Sequence, residues 1–441
     1  MSNTETTVEV QAAAEVLEQL GTIRTGIHTG VMTERARQVL EALMGRYARA
    51  ASAARRVSPV LLPSFPGDDD LGDGPVFVDL AEAQRYYLAH GDAIEDAVVL
   101  AGRCGSDEHA GRVMRGLEYL LTMQQHTGRW LVLADLAVAA ARRRGDKRAE
   151  AHALLSRGGG YKVAGQPVQA VADYEVAVRL FAELADAAGT VAVLSRLGVA
   201  YAAARKLDAA DAAFSQMLAL CTSEDVHRAM AYVNRAWVAI ERGEPHSAIE
   251  QGLIGLDLLQ GCDGAQYWSL EAHLELCRAY TLIGDLDQAQ DHLNAALASF
   301  AAGFEPAPLR VFAALVKGEL LLVQGEYRDA LVMFQQAVML QSAGTHPYRL
   351  ADALDGVGKA LSRLGEDGQA AEQHSAALAE RLRFGEPFAT ARTRYYLARA
   401  KAASGQGDAG AEQRDQALLE LAGLVDPAAD TLRADLKRLA L

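Results

Sequence analysis

The sequence of 441 residues has little of what marks secreted, membrane-spanning or zinc-stabilised proteins. It holds four cysteines, with no C-x-x-C pair and no histidine at zinc-finger spacing, so free thiols in a reducing compartment are the favoured interpretation. No apolar run reaches the ~18 residues that a membrane helix needs, and the polar N-terminus MSNTETTVEV does not resemble a signal peptide. These absences predict a soluble, cytoplasmic protein.

Motifs of common catalytic and cofactor sites are also missing. The sequence contains no G-x-x-x-x-G-K-[ST] loop, no H-E-x-x-H, no G-x-S-x-G and no G-x-G-x-x-G after a strand. His273 and Cys277 lie one helical turn apart, but two ligands without nearby partners favour a packing pair over a metal site. The carboxylates Asp352 and Asp355 are interpreted as part of a solvated helix face. We therefore predict no enzyme, no cofactor and no metal ion.

Composition and charge narrow the class of protein further. Aromatic residues make up 6% of the chain and apolar residues 50%, with alanine supplying much of that half. Alanine is the strongest helix former and packs closely between helices, so an all-α fold is predicted. A net charge of -14 argues against sequence-independent nucleic-acid binding, which needs a basic face.

A pattern of small and aromatic residues recurs about every 40 residues from position 149 onward. Its first copy consists of Gly158, Tyr161, Gly165, Ala170, Tyr174 and Ala177. The second copy keeps the register with Leu194, Gly198, Tyr201, Ala210 and Phe214. Later copies carry turn glycines at Gly243, Gly284, Gly325, Gly365 and Gly405. The pattern predicts pairs of short helices that bury their apolar faces only by stacking, in a tetratricopeptide-type α-α superhelix with a period longer than the usual ~34 residues.

Shifts in composition suggest five segments. They are N-terminal helices (1–56), a Pro- and Asp-rich linker (57–77), degenerate hairpins that cap the array (78–148), tetratricopeptide repeats (149–386), and a degenerate C-terminal repeat with a capping helix (387–441). The aspartates of the linker lack the spacing of an EF-hand loop, which favours a solvated linker over a calcium site.

The first helix of each predicted hairpin is expected to line a concave wall. Residues one position after the small contact residue face inward in this geometry, and an aromatic residue there can anchor a ligand. Asn234 resembles the asparagine of the L-x-N-L-G-x-x-Y signature, which bonds a peptide backbone in peptide-holding tetratricopeptide proteins. The predicted protein- or peptide-binding residues are Asn234, Trp237, Arg278, Glu319, Lys359 and Arg399. A solvated face for the charged members, and a gap-filling role for Trp237, remain open.

Two segments also resemble a known family of regulators. Residues 77–101 and 128–166, with RARQVLEALMGRYARAASAARRVSP upstream, resemble the junction before the tetratricopeptide array in actinobacterial regulators of the antibiotic regulatory protein type and related NB-ARC (STAND) ATPases. The family's P-loop ATPase and winged-helix domains are not found in this sequence. The resemblance therefore implies the sensor and protein-binding half of such a regulator.

The predicted function is a non-catalytic protein-protein interaction scaffold or adaptor with a regulatory role, which binds a partner segment in the concave groove. One alternative is a receptor for a small signalling peptide or metabolite, and a second is an accessory factor or enzyme of a biosynthetic pathway. The expected partner is a protein or peptide, with no nucleic acid and no membrane. Homo-oligomerisation and a separate role for the N-terminal helices are left open.

Overall fold

A computed structural model describes residues 33–57, 75–104, 127–221, 226–262, 265–304, 306–342 and 347–439, with isolated positions 21, 113, 114 and 117. These residues form helices and no strand. The helices before the repeat array are α1 (Glu34–Arg56), α2 (Leu80–Cys104) and α3 (Thr127–Arg144). The hairpins that follow are α4 (Lys147–Val163) with α5 (Pro167–Glu183), α6 (Ala187–Ala203) with α7 (Leu207–Leu220), α8 (Val226–Arg242) with α9 (Pro245–Leu258), α10 (Gln266–Ile283) with α11 (Leu286–Ala301), α12 (Ala307–Gln324) with α13 (Tyr327–Ser342), α14 (Pro347–Arg363) with α15 (Asp367–Phe384), and α16 (Pro387–Ala403) with α17 (Gly407–Leu421). The last helix is α18 (Pro427–Arg438).

Turn glycines end the first helix in each of the last five hairpins, as the repeat pattern predicts. Gly243, Gly284, Gly325, Gly365 and Gly405 all have φ between 81° and 85°. Side chains with a Cβ rarely adopt this left-handed conformation, so glycine is the residue that stops a helix here most cheaply. The predicted 40-residue register and the all-α solenoid fold are confirmed.

The small residues of the pattern allow an aromatic ring to lie against the backbone of the first helix. A Cβ added at Gly198 would lie 2.5 Å from Cζ of Phe214, and real Cβ atoms do not approach a ring so closely. At Gly358 the ring is that of His374, whose Cε1 and Nε2 atoms would both lie 2.6 Å from the added Cβ. The small-plus-aromatic contact therefore sets the distance between the two helices of a hairpin, and histidine takes the place of the aromatic residue in this copy.

Contacts divide the described residues into two compact units. The first comprises the described residues up to Val163 together with Gln169–Val193, and the second comprises Ala164–Val168 and the described residues from Leu194 onward. In the predicted segment of N-terminal helices, residues 1–32 apart from position 21 lie outside the described residues, and so does most of the linker 57–77. The five predicted segment boundaries stay predictions.

In the second unit, first helices pack against first helices. α8 contacts α10, α10 contacts α12, α12 contacts α14, and α14 contacts α16, whereas no second helix contacts another second helix among the described residues. The first helices therefore line the inner side of the curve. α18 contacts both α16 and α8, so this series of contacts returns to its starting helix. We refer to the series from α8 through α16 and α18 back to α8 as the closed circuit.

The last helix has a well-defined start. The Asp426 carboxylate accepts a hydrogen bond from the backbone N–H of Ala429 at 3.0 Å, and Pro427 occupies the first turn. An aspartate cap followed by proline is a strong helix start. Ala429, Leu432 and Leu436 of α18 then bury themselves against α16 and α17.

One sequence interpretation is wrong. Asp355 was expected on a solvated face, but it is buried and its two carboxylate oxygens meet His374 and Thr393. The expectation failed because a carboxylate on an inner helix is covered by the neighbouring hairpin, which spacing along one helix does not reveal.

In the described part of the chain, no helix is long and apolar enough to cross a lipid bilayer.

Candidate binding site inside the closed circuit

Side chains from helices that are not neighbours act on one another across the closed circuit. Arg278 on α10 helps to lower the pKa of Asp352 on α14, although α12 lies between the two helices. Glu241 on α8 likewise helps to raise the pKa of Glu386, which precedes α16. Ion-pair contacts between successive first helices link these positions. We call this set of side chains the inner wall: Glu241, Arg278, Glu319, Asp352, Lys359, Glu386 and Arg392.

The inner wall keeps contact with solvent while protein surrounds it. Arg278 retains 20% of its side-chain exposure, Lys359 26% and Arg392 36%. Burial is nevertheless the largest single influence on the pKa values of these three groups, and it acts to lower them. Nearby acidic groups together outweigh burial, so all three pKa values are raised. Protein therefore covers most of each side chain, and a part of each still reaches solvent.

Arg278, a predicted site residue, lies among carboxylates. Its Nη1 atom donates to Glu275 Oε2 at 2.8 Å, and its Nη2 atom lies 3.7 Å from Glu241 Oε1. Burial raises the pKa of the Glu275 carboxyl more than Arg278 lowers it. Arg278 is therefore held in place by one close partner and one distant partner.

The next two predicted residues form a pair. Lys359 Nζ lies 3.7 Å from Glu319 Oε1, which is longer than a direct charged hydrogen bond. The same ammonium lies 5.6 Å from the centre of the Tyr396 ring and 5.9 Å from that of Phe334. Lys359 thus sits between a carboxylate and two aromatic faces, where its charge attracts the negative faces of the rings.

Asn234, Trp237 and Arg399 complete the predicted set. Asn234 is 8% exposed, and its Nδ2 donates to the backbone oxygen of Met230 at 2.9 Å, within its own helix. Trp237 is half-buried, and Arg399 is exposed with its guanidinium 5.6 Å from the Tyr395 ring centre. Contact of any of the six with a ligand stays a prediction. For Asn234, such a contact requires its side chain to leave Met230 or to use its oxygen.

A cluster that the sequence did not predict lies beside Lys359. We call Asp352, Asp355, His374, Arg381 and Arg392 the polar cluster. Arg381 is 4% exposed and pairs with Asp352, which lies 3.5 Å from Arg392 as well. Burial acts to raise the pKa of Asp352, but Arg381 and Arg392 outweigh it and hold the pKa below its usual range. Arg381 comes from a second helix, α15, whereas the six predicted site residues all lie on first helices.

Asp355 anchors the polar cluster to three helices. One carboxylate oxygen lies 2.8 Å from His374 Nδ1, and the other accepts a hydrogen bond from the Thr393 hydroxyl. Arg381 Nη2 lies 3.8 Å from this second oxygen. The order of these groups does not make a nucleophilic triad, since the hydroxyl meets the carboxylate and not the imidazole.

Of the predicted packing pair His273 and Cys277, the histidine lies against a second histidine, His292. His273 Nδ1 lies 2.9 Å from His292 Nδ1, and burial, with His292, lowers the pKa of His273 to about 4. Burial raises the pKa of Cys277 to about 12, which keeps the thiol protonated. Within the described residues, no group of three or more His, Cys, Asp or Glu side chains is placed to hold a metal ion.

No protein-family model matches this sequence, and no curated protein matches it. Its fold is similar to that of solved tetratricopeptide-type structures. A Rap protein in complex with Competence and Sporulation Factor shares 14% identity and a TM-score of 0.53 over 80% of this chain and 99% of that one. The apo form of RapI shares 15% identity, with a TM-score of 0.47 over 66% of this chain and 100% of that one. A tetratricopeptide repeat protein from Parabacteroides merdae shares 17% identity, with a TM-score of 0.42 over 65% of this chain and 99% of that one.

Proposed function

We propose that this protein is a non-catalytic binding module that holds a peptide or a protein segment against the inner wall of its second unit. The observation that carries the proposal is the convergence of charged and aromatic side chains from separate first helices on one interior. A solenoid needs no charge there for stability, because its hydrophobic faces are buried between repeats. Buried ion pairs in particular are weak contributors to stability.

Several ion pairs of the inner wall are loose enough for a ligand to replace. Arg278 lies 3.7 Å from Glu241, Lys359 3.7 Å from Glu319, and Arg392 3.5 Å from Asp352. Charged hydrogen bonds close at about 2.7–2.9 Å. A ligand that carries both signs of charge can insert between the two partners and form a shorter charged hydrogen bond with each of them. Peptides carry both signs at their ends, and their side chains can stack on Tyr396 or Trp237.

The closed circuit favours a short occupant over a long extended one. A long segment lies most easily in an open groove, whereas α18 here returns to α8. A short peptide or a chain end needs only one entrance. The Rap protein whose structure shares a TM-score of 0.53 with this chain was solved in complex with Competence and Sporulation Factor, so a similar fold holds a ligand there. A receptor for a small signalling peptide is therefore the form of the proposal that we favour over a scaffold for long segments.

A regulatory role belongs to this proposal as well. Its support is the resemblance of residues 77–101 and 128–166 to the junction before the tetratricopeptide array in actinobacterial NB-ARC regulators, which implies the sensor half of such a regulator. A sensor that binds a peptide in one unit can pass the change to a partner protein.

The test starts from immobilised peptide arrays of all charge patterns, probed with the intact chain, followed by calorimetric titration of the peptides retained. Trp237→Ala should weaken binding by about thirtyfold, as loss of a central aromatic anchor does, and more than Lys359→Ala. Arg414→Ala is the matched control, because Arg414 lies on the second helix α17 beside Asp415.

Each variant must first keep its helical content and unfolding midpoint. Equal affinity of the wild type, Trp237→Ala and an Asn234→Ala, Trp237→Ala double variant would place the binding site elsewhere. Loss of affinity in Arg414→Ala alone would move it to the outer face.

A further inference from the structure

Arg205 stands where the repeat places a glycine. It lies 40 residues after the turn glycine Gly165 and ends α6 as the other turn glycines end their helices. Its φ is 59°, in the left-handed region that residues other than glycine rarely adopt. A strained residue of this kind persists where surrounding contacts hold it, and such residues cluster at functional sites.

The contacts of Arg205 join the beginning of the second unit to its end. Its Nε and Nη2 atoms donate to the two carboxylate oxygens of Asp426, at 3.1 and 2.9 Å, in a bidentate pair. Its Nη1 donates to Glu241 Oε2 at 3.1 Å, and Nη2 also donates to the Glu241 backbone oxygen at 2.7 Å. The guanidinium lies 3.7 Å from the centre of the Phe388 ring. The side chain is 6% exposed, so solvent hardly reaches the guanidinium in these contacts.

We propose that Arg205 is a latch that holds the closed circuit shut and thereby controls access to its interior. The latch joins residues 221 positions apart in the chain, between the turn before α7 and the start of α18. Access control rests on the binding function proposed above, whereas the latch itself does not.

The latch can open without unfolding either side. α18 remains fixed to α16 and α17 through Ala429, Leu432 and Leu436. The turn at Arg205 belongs to a hairpin that Phe214 holds together against Gly198. Direct contact between α8 and α18 is slight compared with contacts within hairpins. Arg205 therefore supplies a large share of what joins the two ends.

Glu241 connects the latch to the inner wall. Its Oε2 atom accepts from Arg205, and its Oε1 atom lies 3.7 Å from Arg278 Nη2. A ligand cation that approaches Glu241, or a ligand anion that draws Arg278 away, changes the charge that Arg205 faces. Occupancy of the interior and opening of the latch are thus linked through one carboxylate.

Arg205→Gly is the decisive variant, because it removes the latch and gives the turn the residue that the other repeats use. The strain at this position is relieved, so the hairpin keeps its fold. Fluorescent labels are introduced by unnatural amino acids at two exposed positions, Ser215 on α7 and Lys437 on α18, and single-molecule energy transfer is recorded on the intact chain. The wild type should give a dominant high-transfer population, and Arg205→Gly should raise the minor low-transfer population by about tenfold or more.

Two further variants separate the latch from a general effect. Asp426→Asn keeps the helix cap but loses the charge, and it should open the circuit in the same direction. Arg242→Ala breaks an arginine-aspartate pair with Asp208 between neighbouring helices and should leave the distribution unchanged. Unchanged transfer in both Arg205→Gly and Asp426→Asn would overturn the latch. An equal response in Arg242→Ala would overturn it as well, because the ends would then respond to any lost ion pair.

The access step has its own readout. For a peptide retained on the arrays, Arg205→Gly should raise the association and dissociation rate constants together, by about tenfold each, in stopped-flow measurements. Unchanged rate constants in a variant whose energy transfer shows an open circuit would disprove access control and leave the latch. Absence of any retained peptide contradicts the proposed function, and the energy-transfer result still decides the latch.

Discussion

At Gly198 and at Gly358 the first helix leaves room for a ring from the second helix, and we call these places the apolar slot and the polar slot. An added Cβ would lie 2.5 Å from a ring atom in the first and 2.6 Å in the second, but the chemistry of the two rings differs. In the first, the buried ring of Phe214 fills the space with hydrocarbon. In the second, the buried ring of His374 fills it, stacks 5.5 Å from Tyr396 and meets Asp355 at 2.8 Å. The repeat requires a flat ring in this place, and the neighbouring hairpin decides whether the ring is polar.

The difference matters because a polar ring needs further polar partners. A buried imidazole without a hydrogen bond costs stability, so Asp355 accompanies it, and Asp355 in turn meets Thr393 and Arg381. This series of partners reaches the inner wall at Asp352 and Arg392. The apolar slot ends at its own ring, while the polar slot connects the core of a hairpin to the candidate binding site.

The largest effect is expected at the apolar slot. Phe214→Ala leaves a cavity opposite Gly198 and should lower the free energy of unfolding by about 3–5 kcal/mol. Chemical denaturation followed by circular dichroism measures it. Leu220→Ala, on the same helix at an exposed position, is the control and should cost less than about 1 kcal/mol. Equal losses in the two variants would mean that Phe214 does not fill the slot.

At the polar slot, His374→Phe makes the two slots alike in size and ring shape. It should cost about 1–3 kcal/mol, because Asp355 loses a buried partner while the volume is kept. A double-mutant cycle with Asp355→Ala measures the pairing, and the coupling free energy should be at least about 1 kcal/mol. Additive effects would show that the imidazole packs without pairing.

The free energy of unfolding should also depend on pH through Glu386, which belongs to the inner wall. Burial raises the pKa of Glu386 from its ordinary 4.5 to about 7, opposed by Arg381 and assisted by Asp352 and Glu241. The folded state then binds a proton that the unfolded state has released, so stability falls as pH rises from about 4.5 to 7. Glu386→Gln removes this loss.

The measurement compares the unfolding free energies of Glu386→Gln and the wild type at pH 5 and pH 8. The advantage of the variant should grow by up to about 2 kcal/mol over this range. Glu412→Gln changes an exposed carboxylate and should show no such growth. An advantage of Glu386→Gln that is the same at both pH values would contradict the burial of the carboxyl.

The smallest effect concerns the turn that ends the first helix of the polar slot. Gly365 has φ of 82°, and Gly365→Ala should cost about 1 kcal/mol, because an L-residue is strained there. Gly368 lies nearby in the first turn of α15 with no atom within 4 Å of an added Cβ, so Gly368→Ala should stabilise by a few tenths of a kcal/mol. Thermal unfolding of the two variants should therefore shift in opposite directions.

Much of the fold could be predicted from local sequence, but the details of the site could not. The turn glycines and the small-aromatic contact are local features, because the residues that make them lie within one hairpin. Arg381 was missed because it reaches the inner wall from a second helix, and Asp355 because its cover comes from another hairpin. The pattern along one helix does not tell which side chains of its partner helix, or of the next hairpin, will cover a given face.

The sequence by itself determined the helical hairpins, their 40-residue register and the first helices as the inner side, since each depends on residue size and backbone conformation within about one repeat. Only the tertiary structure decided that α18 returns to α8 and that Arg205 meets Asp426. The physical reason is that the curvature of a solenoid is the sum of small rotations between successive repeats. A small rotation at each step decides whether the two ends meet, and no single residue pattern encodes that sum.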